Sequence, residues 1–223
     1  ETYRTPVILL FDEVIGHMRE KLIIPQEGEI PRVARLRTSL KEGVNYHPYL
    51  PREDGRLPMS DFGDVHRFNV TGLYHDMWGF PTDKPDVVQE LLRHQVDKIE
   101  NNVHKMTFYK SYFLEDASVV LISYGSSARS ALSVVKQRRN RGESIGLLEL
   151  NTIWPFPAEL VRECTQNAEL VAVVEMNVGQ LTQSVKLAVG SSKRVHLINR
   201  VDGQMINDKD IKKILRILQG RGM

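Results

Sequence analysis

Several places in the chain carry side chains able to do chemistry. His17 and Arg19 stand in Gly16-His-Met-Arg-Glu20, just after an apolar run, and an arginine there can clamp a carboxylate through two parallel hydrogen bonds. Its structural alternative, a surface pair with Glu13 or Glu20, contributes little, so position at a strand end favours the ligand role. His75-Asp76 has the composition of an imidazole oriented by a carboxylate for acid-base work. Neighbours in sequence point apart more often than together, which makes a loop histidine meeting a partner the better expectation. Gly125-Ser126-Ser127 joins a β-rich run to a helical pattern, and the free amides of a helix start can hold a phosphate or carboxylate. The plainer role, a serine N-cap worth about 1 kcal/mol, is preferred.

Two further loops follow apolar runs. Trp154-Pro-Phe156-Pro157 fixes two aromatics before a helix, as an interface hot spot, a hydrophobic lid or a buried plug under that helix. Glu175-Met-Asn177-Val-Gly-Gln180 places a carboxylate and two amides at the end of a buried strand. A buried glutamate needs a partner, here a nearby backbone amide or a residue of another subunit. The seven histidines show neither metal-ligand spacing nor a nucleophile-base pair. The phosphate loop of nucleotide hydrolases and the three-glycine dinucleotide fingerprint are also missing from the sequence. No residue is assigned a catalytic role, and no metal ligand is assigned.

The elements that position these residues read most clearly from Ala117 onward. Val119–Tyr124, Ile145–Leu150, Leu170–Met176 and Arg194–Ile198 are β-rich runs; the patterns Ser127–Arg141, Pro157–Thr165, Gly179–Val189 and Asp208–Leu218 between and after them are helical. That alternation predicts an α/β domain with a parallel sheet flanked by helices on both faces, binding beyond the carboxyl ends of its strands. Upstream, Pro85 opens an amphipathic helix with Val87, Val88, Leu91, Leu92, Val96 and Ile99 at helical steps until about Met106. From Gln26 to Lys84 prolines and scattered charges give no period. So long an irregular stretch is expected to wrap something, with Arg67–Pro81 presenting side chains through turns. Val7–Phe11 is continuously apolar and reads as a strand buried on both faces. The next comparable run begins only at Val119, so its sheet partners are expected to be absent from the chain.

Composition bounds the functions available. Thirty basic and 28 acidic residues leave a charge of +2, too balanced for the phosphate-dominated binding of nucleic acid, and a membrane surface is equally unsupported. No run approaches the length of a membrane span, and Glu1 heads no signal peptide; the missing initiator Met fits a chain whose start has been lost. The single cysteine, Cys164, rules out an internal disulfide and any all-cysteine cluster made by this chain alone, and places it in a reducing, cytoplasmic setting.

Asp12-Glu-Val-Ile-Gly-His-Met-Arg-Glu20, Val70-Thr-Gly-Leu-Tyr-His-Asp76, Tyr124-Gly-Ser-Ser-Ala-Arg129, Trp154-Pro-Phe-Pro157, Val174-Glu-Met-Asn-Val-Gly-Gln180 and Val201-Asp-Gly203 occur in the order seen in alpha subunits of 2-oxoacid:ferredoxin oxidoreductases. The chain resembles that family over nearly its whole length, and most of all its 2-oxoglutarate type. The resemblance implies a thiamine diphosphate enzyme that decarboxylates a 2-oxoacid, joins the acyl group to coenzyme A and sends electrons through an iron-sulfur cluster to ferredoxin. It implies a beta subunit that carries the diphosphate site with its Mg and the 4Fe-4S cluster, and leaves room for gamma and delta subunits. Residues 1–25 would then be the tail of a pyrimidine-side thiamine-binding domain, 26–116 the wrapping segment with its helix, and 117–223 a transketolase-C-like domain. The family's Tyr-Pro-Ile-Thr-Pro motif, its activating glutamate and its arginine-containing substrate segment have no counterpart in the sequence, so the chain alone is expected to be inactive. His17, Arg19, His75 and Asp76 would line the mouth of an active site completed elsewhere, and Trp154, Phe156, Glu175, Asn177 and Gln180 would pack on a neighbouring subunit. A pyruvate-, branched-chain- or aryl-type oxidoreductase, a transketolase-like enzyme without ferredoxin, or a non-catalytic scaffold are the alternatives.

Overall fold

The computed structural model describes residues 1–39 and 45–220; residues 40–44 and 221–223, at which two of the expected segments pass or end, lie outside them. Two compact units emerge, one of Glu1–Leu9 with Arg19–Asn102, the other of Leu10–Met18 with the chain from Val103 on.

In the first unit the irregular stretch forms turns and two isolated bridges, Arg37 with Met59 and His75 with Pro81. Stacked rings hold it where a ladder is missing. Tyr46 lies 4.8 Å from His66, Phe62 5.8 Å from Phe68, and Tyr49 stacks on His75 at 4.7 Å with the rings 5° from parallel. Its helix α2 spans Pro85–Glu100 with Pro85 in the first turn. The expected helix to Met106 is broken: Asn102 turns its side-chain amide onto the Lys98 carbonyl at 2.9 Å, and a separate turn, α3, covers Val103–Met106 in the other unit. Short amides that bond nearby backbone compete with the helical ladder, and Asn101-Asn102 ends it.

Val7–Phe11 stands apart from any sheet among the described residues. The run is not a strand, and its five side chains are 67 to 89% exposed. An apolar run becomes a strand only when neighbours pair with it, and no strand pairs with it among the described residues. Immediately after it comes a one-turn helix, α1, at Glu13–His17, with none of its residues buried.

The second unit is built on β1 (Tyr109–Tyr112), β2 (Val119–Ser123), β3 (Ile145–Leu150), β4 (Leu170–Glu175) and β5 (Val195–Asn199), ordered β1-β3-β2-β4-β5. β2 to β5 are parallel, in register as Val119 with Ile145 and Leu170, and Val171 with Val195. β1 runs antiparallel on β3, pairing Tyr109 with Leu150, so the sheet is mixed where a parallel one was expected. Tyr-Lys-Ser-Tyr is a four-residue, largely exposed edge, too short and polar to announce itself.

Helices α4 (Gly125–Arg139), α5 (Ala158–Thr165), α6 (Gln180–Val189) and α7 (Asp208–Leu218) complete the domain. Alternate strand residues feed two cores. Val120, Ile122, Leu148, Val171 and Val173 pack with Val161 of α5 and Val185 of α6. Val119, Leu121, Leu147, Ala172 and Val174 pack with Val134 of α4 and Ile211 and Leu215 of α7. Burying both faces is what makes the strand runs continuously apolar. Gly146 in β3 sits where a Cβ would lie 2.5 Å from the Phe113 carbonyl, so only glycine allows that approach.

Candidate functional site

The chain leaves β2 through α4 towards β3 and leaves β4 through α6 towards β5, on opposite faces of the sheet. The adjacent carboxyl ends of β2 and β4 are therefore its topological switch point, where open α/β sheets form their binding crevice. Two helix amino ends meet there, and each is closed by a carboxylate of the chain itself.

At α4, Tyr124 is the N-cap and supplies no side-chain cap. The Ser126 amide donates to Asp12 Oδ2 at 2.8 Å. Gly125 has φ +58°, and a Cβ there would lie 3.0 Å from the same oxygen, so both the left-handed backbone and the carboxylate's approach require glycine. Ser126 and Ser127 are buried, and the Ser126 hydroxyl has no partner among the described residues. Gly125-Ser126-Ser127 is thus an anion-bearing helix start, as its sequence allows, but the anion is Asp12. The preferred serine cap is corrected, because both hydroxyls are packed inward.

At α6, Glu175 is fully buried. Its carboxylate accepts the Leu181 and Thr182 amides, both at 3.0 Å, and the Thr182 hydroxyl at 2.6 Å. Of the two partners considered for Glu175, a backbone amide or another subunit, the first is found: from the end of β4 its side chain faces inward to the amides of the following helix. Asn177 accepts from the Gly179 and Gln180 amides and donates to the Tyr124 hydroxyl at 2.7 Å, while the Asn199 side chain holds its carbonyl at 2.8 Å. Burial, followed by the charges of Glu175 and Asp12, pushes the Tyr124 phenol above its ordinary value against the Asn177 hydrogen bond.

Beside this network opens a cleft of about 470 Å³ lined by Asp12, Glu13, Val14, Asn177, Gln180 and Arg200 among others. Arg200 is held by Asp202 at 2.7 Å and Asp210 at 3.3 Å, and Asp210 also completes the capping box of α7 with Asn207. Arg200 reaches the cleft already neutralised. Of the residues singled out from sequence, Asn177 and Gln180 line this cleft; Asp12 and Arg200, which also line it, and Tyr124 beside it were not named as site residues, although Arg200 lies in the loop 199–203 after β5, where ligands of such sheets bind. Asp12 drew notice only as the first letter of a motif.

The remaining candidates lie elsewhere. Trp154 is 74% exposed, whereas Phe156 packs against the core under α5, so the two aromatics divide between the alternatives. His17 is exposed and pairs with Glu13 at 3.1 Å; Arg19 is exposed. His75 is only 4% exposed, bonded through Nε2 to the Thr71 hydroxyl at 2.9 Å. The Asp76 carboxylate accepts the Trp78 and Phe80 amides, each at 3.0 Å. The expected partner-facing His75 is corrected: it is interior to its unit, and Asp76 shapes the turn that carries it. Among the described residues no group of three or more His, Cys, Asp or Glu side chains is arranged for a metal ion, and none of the helices is long and apolar enough to cross a membrane.

Comparison with known proteins gives this arrangement its context. Residues 117–211 match the family described as pyruvate:ferredoxin oxidoreductase core domain II. The 2-oxoglutarate synthase subunit KorA of Methanothermobacter marburgensis is 35% identical over 217 residues, 96% of this chain and 57% of that relative. The chain is similar to subunits of 2-oxoacid oxidoreductases along nearly its whole length. The Methanocaldococcus jannaschii KorA is 32% identical over 96% of the chain, and the ketoisovalerate oxidoreductase subunit VorB of M. marburgensis is 30% identical over 99%. The chain spans a little over half the length of these relatives. A solved 2-oxoglutarate:ferredoxin oxidoreductase from Magnetococcus marinus, with 2-oxoglutarate, coenzyme A and succinyl-CoA bound, shares the fold at a TM-score of 0.78 and 20% identity, covering 86% of this chain and 34% of that one.

Proposed function

We propose that the chain forms part of the alpha subunit of a thiamine diphosphate-dependent enzyme that oxidatively decarboxylates 2-oxoglutarate to succinyl-CoA and passes electrons to ferredoxin in the cytoplasm. The observation that carries this reading is the 35% identity to a 2-oxoglutarate synthase subunit along 96% of the chain. Residues 1–25 then end a pyrimidine-side domain and the sheet domain is transketolase-C-like.

The residues present do not fit the redox cofactor. One cysteine cannot supply the four thiolates of a 4Fe-4S cluster, and the described residues offer no metal-ligand group for the Mg of thiamine diphosphate. Both groups are assigned to a beta subunit or to other parts of the alpha chain, and no chemical step is routed through the residues seen here. The chain's contribution is positional. It closes the amino ends of α4 and α6 with Asp12 and Glu175, exposes Arg19 and His17 for an anionic substrate or coenzyme A, and presents Trp154 to a partner subunit.

Production of the full-length chain with its beta partner, followed by coenzyme A-dependent viologen reduction with 2-oxoglutarate, pyruvate and 2-oxoisovalerate, tests the reading. Turnover selective for 2-oxoglutarate is expected. Selectivity for 2-oxoisovalerate would establish the second reading, which the 30% identity to a ketoisovalerate oxidoreductase subunit over 99% of the chain favours. Turnover with none of them would sink both.

A further inference from the structure

We infer that Asp12 is a positioning residue that straps the segment Leu10–Met18 across the switch point and so sets one wall of the cleft. Asp12 closes two helices at once. Its backbone carbonyl accepts the Ile15 and Gly16 amides at 3.0 and 3.2 Å and so starts α1; its carboxylate accepts the Ser126 amide at the start of α4, 114 residues away. The carboxylate lies at the positive end of a fifteen-residue helix, the place in this class of sheet where a ligand's anion would otherwise be held.

Burial retains the strap only in part, with Val14 and Ile15 half-buried. None of α1 is buried, and Phe11 is 67% exposed. The Phe11 ring lies against Gly16, where a Cβ would meet it at 2.8 Å, which is a contact within the strap itself. The Glu13–His17 pair is likewise internal and exposed. Glu13 and Val14 nonetheless line the cleft together with Asn177, Gln180 and Arg200, so the shape of that wall depends on the Asp12 bond. The role in turnover rests on the proposed function; the strap itself does not.

The test uses the full-length chain with its beta partner, as wild type, Asp12→Ala and Asp12→Asn. Hydrogen exchange of residues 13–18 is expected to quicken roughly tenfold in Asp12→Ala, the scale of a lost N-terminal cap. Asp12→Asn keeps an acceptor oxygen without the charge and is expected to fall between. The Michaelis constant for 2-oxoglutarate or for coenzyme A should rise with kcat held, and be partly restored in the asparagine variant. Exchange at the wild-type rate overturns the strap, and quickened exchange with both Michaelis constants unchanged overturns the positioning role. Should the alanine variant not fold, wild-type exchange in Asp12→Asn overturns the proposal equally. If the wild-type complex turns over no 2-oxoacid, the proposed function falls while exchange still decides the strap.

Discussion

Glu175 Oε1 accepts both the amide of Thr182, at 3.0 Å, and its hydroxyl, at 2.6 Å. One oxygen of a fully buried carboxylate is thus fastened to the first turn of α6, and Oε2 takes the neighbouring Leu181 amide. The last residue of β4 and the start of α6 form one rigid corner.

Truncating that carboxylate leaves two amides and a hydroxyl buried without acceptors. Each such loss costs about 1–3 kcal/mol, so Glu175→Ala should destabilise the chain by about 3 kcal/mol or more. Glu175→Gln, which retains one good acceptor, should cost about half as much. Urea midpoints read both; equal losses would show that charge, and not the number of acceptors, matters at this corner.

Gly146 tests the packing of β3. A methyl group 2.5 Å from the Phe113 carbonyl must move that carbonyl, which also accepts from Arg139 Nη2 at 2.7 Å. Overpacking of this kind costs about 1–3 kcal/mol, so Gly146→Ala should lower Tm by several degrees, while Gly142→Ala, with nothing within 4 Å of its Cβ but φ +79°, should suffer only backbone strain.

Tyr124 predicts an alkaline limb. Its folded pKa is raised above the ordinary value of about 10, through burial first and then the charge of Glu175. A raised folded pKa means that the native state holds its proton more tightly, so this contribution is whole below pH ~10 and is lost as pH climbs through the folded value. Tyr124→Phe should cost about 1 kcal/mol at neutral pH, through the hydrogen bond from Asn177, and its deficit relative to wild type should shrink above pH 10. Denaturation midpoints from pH 8 to 11 check this; a constant deficit would refute it.

Arg19 and His75 fall together by residue type and are separated by structure. His75→Ala removes a buried ring stacked on Tyr49 and should lower stability with little change in either Michaelis constant of the assembled enzyme. Exposed Arg19, if it clamps an anion, should on mutation to alanine weaken the apparent affinity for 2-oxoglutarate or coenzyme A roughly tenfold and leave Tm unchanged. Steady-state kinetics and thermal melts read both variants, and the opposite pattern would return His75 to the mouth of the site.

What could be read beforehand follows from the range of each interaction. β2 to β5 were legible because burial on both sheet faces writes an uninterrupted apolar run into each strand. β1 was not, since an exposed Tyr-Lys-Ser-Tyr edge carries no such constraint, and the partners of Val7–Phe11 could not be read from hydrophobicity, which says nothing about which strands will lie alongside. Within the site, Asn177 and Gln180 could be found from their place after an apolar run. Asp12 could not, as its meaning lies in an amide 114 residues away, and no local pattern encodes so distant a bond.

The paired closures by Asp12 and Glu175 also bear on engineering. In related sheet architectures a vacant pair of helix ends is the raw material for a new nucleotide or phosphate site. Here both ends are already plugged from within, so grafting such a site onto this scaffold would require replacing both carboxylates in the same variant and finding another anchor for the segment that Asp12 holds. The module is built as a keystone, and repurposing it as a receptor begins by dismantling its own corners.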